Sequence, residues 1–244
     1  MRIKLETLTY FYLLLALITG YIYELLFFYL CLVIHELGHI FFIKLMKKSI
    51  DRLEISPIGG ILFIEGIEND HNYKELLIYI GGPLFSLLFY LLVNQFTNHT
   101  LLINSAMYIL VLNLLPILPF DGAKILGCLI QNVVWYKLTL KISYYLSFVL
   151  LIFLIVITKG NFLYIGLILF FLIKNLIEVK NINYIYHDFR IKKYLYPNSL
   201  LKMKILQKDY YQRLYKGYNN CFYHKNILHT EEEMLKKLLN ANND

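Results

Sequence analysis

His35, Glu36 and His39 place three ionisable side chains within five residues of "CLVIHELGHIFFIKL", a stretch from Cys31 to Leu45 that is otherwise apolar enough to cross a bilayer. An ionisable group at the centre of a membrane helix costs about 2.5–3.5 kcal/mol on insertion scales, so their presence requires a use. On a helix His35 and His39 stand at i and i+4 and project from one face, one turn apart, where two imidazoles can share a metal ion. Glu36 lies beside that seam. This is the H-E-x-x-H arrangement, in which two His hold Zn²⁺ and the Glu acts as the general base of a hydrolase. A hydrogen bond to a neighbouring membrane helix is the alternative use of a buried His. It accounts for one imidazole and leaves the other two side chains unexplained.

A catalytic zinc takes a third protein ligand and keeps one position open. Asp70 lies in a polar connection, and Asp188, Asp209 and Asp244 lie beyond the last apolar run, whereas Asp121 directly follows the proline-broken "NLLPILPFDG". The competing role for Asp121 is a turn or helix-cap residue before Gly122. A second class of membrane zinc protease takes a downstream Glu instead, for which Glu65, Glu68, Glu75 and Glu178 are available. None of these sits in a second helical metal motif.

The elements that must position these residues are membrane spans. The chain is 58% hydrophobic and 17% charged, which is too apolar for an ordinary soluble domain. Runs of crossing length fall near Leu8 to Gly20, Tyr21 to Met46, Leu76 to Asn94, Leu101 to Pro119, Leu140 to Ile157 and Phe162 to Ile177. The amino-terminal "MRIKLETLTYFYLLLALITGYIY" has the outline of a signal peptide but no A-x-A-like site, and reads as the first span. Lys and Arg cluster on one side of a six-span arrangement, which predicts cytoplasmic termini. The net charge of +7 follows that topology and gives no footprint for direct nucleic-acid binding. Cys31, Cys128 and Cys221 are far apart and without C-x-x-C spacing, so they read as packing residues. The expected fold is a membrane all-α protein of about six helices with a re-entrant, β-like hairpin. Residues 1–180 form the membrane domain and 181–244 a small cytoplasmic tail.

The hairpin is "RLEISPIGGILFIEGIE", Arg52 to Glu68, with Pro57, Gly59 and Gly60 among β-branched residues. Backbone dipping into a bilayer must line a cavity or pack on protein. Its strand edge around Ile58 to Phe63 could hold an extended substrate, with Gly59 and Gly60 permitting close approach. The alternative is a loop that merely plugs the bundle. Asn113 could bond a substrate carbonyl or a developing oxyanion, or equally another helix. Gly82 and Pro83, in "GGPLFSLLF", read as helix-packing residues without a chemical part.

Taken together, "HELGH" and "NLLPILPFDGAKI" resemble the site-2 protease family of intramembrane zinc metalloproteases. Within it, "TGYIYELLFFYLCLVIHELGHIFF", "ISPIGGILFIEG" and "GGPLFSLLF" are similar to the stage IV sporulation proteases of endospore-forming bacteria. The resemblance covers the chain to about Lys180. It implies Zn²⁺ held by His35, His39 and Asp121, with Glu36 as the catalytic residue. It also implies a membrane-associated pro-sigma factor as substrate, membrane-embedded inhibitory partners, and mother-cell membranes around a forespore as the location. Ala123 stands where the family often has a second Gly. The tail, with Thr230 and Glu233 as a capping box and a helix, strand, helix pattern over "DYYQRLYKGYNNCFYHKNILHTEEEMLKKLL", reads as a reduced form of the family's nucleotide-binding CBS domain. A membrane metal-binding protein or transporter without proteolysis is the alternative. It would need further intramembrane His or carboxylates along a path.

Overall fold

The computed structural model describes the chain except residues 1, 6, 57–58, 65, 159–161, 199, 208–212, 225–226 and 241–244. Helices dominate: α1 (Thr7–Thr19), α2 (Ile22–Leu45), α3 (Asn72–Phe96), α4 (Thr100–Leu114), α5 (Asp121–Ile130), α6 (Tyr136–Ile157), α7 (Phe162–Leu195) and α8 (Glu231–Asn240). Among the described residues α2, α3 and α6 are long and apolar enough to cross a membrane. On α6, Tyr145, Val149, Ile152, Phe153 and Val156 are exposed. So large an apolar surface belongs in lipid, and the protein is an integral membrane protein.

The helix in the fourth apolar run is shorter than the sequence led us to expect, and too short to count among the three candidate spans. It stops at Leu114, not Pro119, and Leu115 is extended at φ −63°, ψ 134°. Pro116 is the cause, because a residue before proline is pushed out of the helical region and proline itself has no donor to continue the ladder.

The chain divides into two compact units, residues 1–67 with 77–115 and residues 68–76 with 116–244. In the first, strand β1 (Arg2–Leu5) runs parallel to β2 (Ile50–Ser56), which pairs antiparallel with β3 (Gly59–Ile64). The order β1-β2-β3 leaves β3 at the edge. Cys31 and Leu32 of α2 pack on Ala106 and Ile109 of α4, with Phe28, Phe89 and Leu102 around them. Helices α2 and α3 cross backbone to backbone. A Cβ on Gly38 would strike the Gly81 carbonyl, and one on Gly81 would stand 2.7 Å from the Gly38 oxygen. Small residues are what permit such an approach between membrane helices.

In the second unit, α7 continues unbroken past Lys180 to Leu195. Beyond it lies a small sheet of β4 (Met203–Gln207), β5 (Asn219–His224) and β6 (Ile227–His229), in that order, with β4 and β5 parallel and β5 and β6 antiparallel. The expected helix, strand, helix pattern of the tail is therefore corrected over its described part. Gly217 turns the chain at φ +76°, and two strands precede a single helix, α8. Residues 209–212, which would have begun the first helix, lie outside the described residues. Thr230 caps α8 by accepting the Glu233 N–H at 3.3 Å. Tyr186 and Phe189 of α7 pack with Leu214, Phe222 and Leu235 into one core.

Some of the buried polar groups in this unit form a paired network. Lys216 Nζ donates to Glu75 Oε1 at 2.7 Å, and Gln131 Nε2 donates to Glu75 Oε2 at 3.2 Å. Burial alone would push the Lys216 ammonium down, but the facing Glu75 carboxylate more than offsets this and holds it above its ordinary value. A raised lysine contributes fully below its unfolded pKa and is lost only as pH climbs through the folded one, so the pair persists across neutral and mildly alkaline pH. Removing one partner leaves a buried charge alone. Lys216→Ala is expected to cost about 3–5 kcal/mol of stability in detergent denaturation, and Glu75→Leu with Lys216→Met much less.

Candidate metal centre

The face of α2 that carries His35 and His39 meets one stripe of α3. Ile78, Gly82 and Ser86 recur every four residues on α3, as His35 and His39 do on α2, so each helix presents one surface to the other. His39 Nδ1 lies 2.7 Å from the Ile78 carbonyl oxygen. A carbonyl only accepts, so Nδ1 carries the proton and the Nε2 lone pair of His39 points away from it. His35 Nδ1 pairs with Ser86 Oγ at 2.9 Å. Both rings are thus held from behind, as metal-ligating histidines usually are.

The two Nε2 atoms stand 3.2 Å apart. Ligands 2.0–2.1 Å from one tetrahedral ion are separated by about 3.3–3.4 Å, so the pair fits a shared zinc. Gly82 makes this geometry possible. A Cβ at that position would overlap His39 Nε2 and come within 2.6 Å of His35 Nε2. Reading Gly82 as a packing residue is therefore corrected: its missing side chain is the space the imidazoles occupy. His35 is 1% exposed and His39 6%.

Glu36 turns to β3. Gly60 N–H donates to Glu36 Oε1 at 2.9 Å. Oε2 is buried and has no hydrogen-bond partner among the described residues. One oxygen is thus fixed while the other keeps the acceptor capacity that a general base needs. Gly60 must be glycine for this contact, since a Cβ would lie 2.6 Å from the Glu36 carboxyl carbon. Gly59 has no such neighbour.

Asp121 opens α5 and is 3% exposed. Lys124 Nζ donates to its Oδ1 at 3.1 Å. The loop before it is pinned by Ser147 of α6, whose Oγ accepts the Leu118 N–H at 2.9 Å and donates to the Ser143 carbonyl at 2.8 Å. Two imidazoles and a carboxylate, all three buried, are the donor chemistry of zinc. Asn113 donates to the Ile109 carbonyl of its own helix at 3.0 Å, which engages one of its two amide hydrogens.

Sequence reasoning missed Ser86, the Ile78 carbonyl, Ser147 and the role of Gly82. The first two and Gly82 were signalled by their four-residue spacing, which matches that of the histidines. Nothing local marks Ser147, because its partner is 29 residues away.

No family model matches the chain. It is 27% identical over 187 residues to a zinc metalloprotease of Methanocaldococcus jannaschii, covering 70% of this chain and 54% of that protein. It is 34% identical over 126 residues to stage IV sporulation protein FB of Bacillus subtilis, covering 48% of this chain and 44% of that one. The solved site-2 protease from Methanocaldococcus jannaschii superposes with a TM-score of 0.54 at 28% identity, over 71% of this chain and 88% of that one. The chain spans about half the length of the curated relatives it matches. By sequence and fold it is similar to the site-2 proteases, and its buried His35, His39 and Asp121 have the donor chemistry that suits Zn²⁺.

Gly82→Ala is expected to lower zinc affinity at least about 10-fold, and Ser86→Ala by about 10- to 100-fold, in competition with a chromophoric chelator.

Proposed function

We propose that the chain is a zinc-dependent intramembrane endopeptidase, and that its substrate is a membrane-associated protein cut near the cytoplasmic face. The observation that carries this reading is the pair of Nε2 atoms 3.2 Å apart with Glu36 on the next residue of the same helix. The relatives named zinc metalloprotease and site-2 protease support it. Orientation with both termini cytoplasmic rests on the one-sided Lys and Arg distribution.

In this mechanism His35, His39 and Asp121 hold the ion. When bound, Zn²⁺ supplies a Lewis acid that polarises the peptide carbonyl and makes water acidic enough to ionise near neutral pH. Glu36 takes the proton from the attacking water through Oε2 while Gly60 holds Oε1 in place. Water oxygen bonds to the carbonyl carbon, the C–N bond breaks, and Glu36 returns the proton to the leaving amine. The second amide hydrogen of Asn113 is available to the carbonyl oxygen as charge develops there. A transmembrane helix hides its carbonyls, so the substrate unwinds before attack and pairs with the outer edge of β3, where Gly59 and Gly60 permit close approach.

The substrate we infer is a pro-sigma factor in sporulation, supported by the similarity to stage IV sporulation protein FB. Membrane-embedded inhibitory partners, a mother-cell location, and a tail descended from a CBS domain belong to the same proposal. The test is co-expression of the host's membrane-associated pro-sigma factor with wild-type chain or with Glu36→Gln, read as a size shift on a gel. A product with wild type and a loss of about 10²- to 10⁴-fold in rate with Glu36→Gln are expected. Equal product from both would contradict the mechanism.

A further inference from the structure

The bond from Gly60 to Glu36 also sets a register. In an antiparallel ladder, successive residues turn their backbone groups alternately toward the partner strand and away from it. Gly60 lies opposite Ile55, and its N–H goes to Glu36, so it faces away from β2. Ile61, opposite Glu54, therefore faces β2, and Leu62, opposite Leu53, again turns its N–H and C=O outward. Among the described residues no strand pairs with β3 on that side. Such an edge is a template for an added strand.

We propose that the substrate pairs antiparallel with β3 in one register, anchored at Leu62 and ended at Gly60 by the general base itself. This rests on the protease reading and extends it to the choice of scissile bond. The substrate residue opposite Leu62 exchanges two hydrogen bonds with it. Two residues further on, the residue opposite Gly60 meets an N–H already given to the carboxylate. Its carbonyl finds no backbone donor there and lies beside Glu36, and that carbonyl is the one attacked. Antiparallel strands run in opposite directions, so Leu62 faces the third residue before the cleaved bond. A slip of one residue would turn every substrate side chain to the other face. Gly60 thus serves twice. Its hydrogen bond holds the base, and its lack of a side chain keeps the carboxylate close enough to interrupt the ladder.

The test places Leu62→Cys in the Glu36→Gln chain, whose glutamine oxygen can still accept from Gly60. The partner is the host pro-sigma factor, its site of cleavage by wild type first mapped by mass spectrometry and single cysteines then moved through the residues on both sides of it. The chain's own Cys31, Cys128 and Cys221 are buried. Disulfide yield is expected to peak at the third residue before the cleaved bond and to fall about fivefold at its immediate neighbours, whose side chains point to the opposite face. A peak elsewhere overturns the register. As a second measurement, Leu62→Pro removes only an outward donor and is expected to lower kcat/KM about tenfold relative to Leu62→Ala, with zinc content unchanged. Equal kcat/KM for the two variants also overturns it. A wild-type chain that cleaves no membrane protein is a different result, and counts against the protease reading itself.

Discussion

Two imidazoles inside a membrane helix can converge on one ion only if the facing helix gives them room and fixes their rings, and α3 does both. Gly38 and Gly81 bring the helices into backbone contact. Four residues along α2 from His35, and one residue along α3 from Gly81, the space left by Gly82 receives both Nε2 atoms, while Ser86 and the Ile78 carbonyl hold the Nδ1 atoms. The motif supplies the ligands. The glycines of α3 determine that they can be used together.

The general base depends on a different element. Glu36 points at the β2–β3 hairpin, and a backbone N–H of an edge strand orients it. In the proposed mechanism the same strand gives an unwound substrate its backbone partners, so that binding and proton transfer would share one short segment. Such economy suits a bilayer, where any backbone out of helix must be satisfied by protein or by substrate.

Much of this was legible in the residues. The i, i+4 histidines, the adjacent Glu and the apolar runs follow from period and composition, and helices formed near all six expected runs. Pro116 and Pro119 marked the place where α4 ends, although the end came five residues before the expected boundary because proline acts on the residue before it. Gly82 was misread because its place beside a proline in an apolar run suggested packing alone, although its four-residue spacing from Ile78 and Ser86 matches that of the histidines. The tail was misread in part because strand β5 and helix α8 are defined by long-range contacts. Asn220, fully buried, bonds Glu231 and the Tyr215 carbonyl, and Lys193 of α7 donates to the Tyr218 carbonyl at 2.6 Å. No local pattern announces a network whose members are up to 38 residues apart.

The central claim is that His35, His39 and Asp121 hold one catalytic zinc for which Glu36 is the base and not a ligand. Metal content of the purified protein tests it most directly. Wild type and Glu36→Gln are each expected to carry about one zinc per chain, and His35→Ala, His39→Ala and Asp121→Ala to carry little or none. Full zinc in the histidine or Asp121 variants, or its loss in Glu36→Gln, would contradict the account.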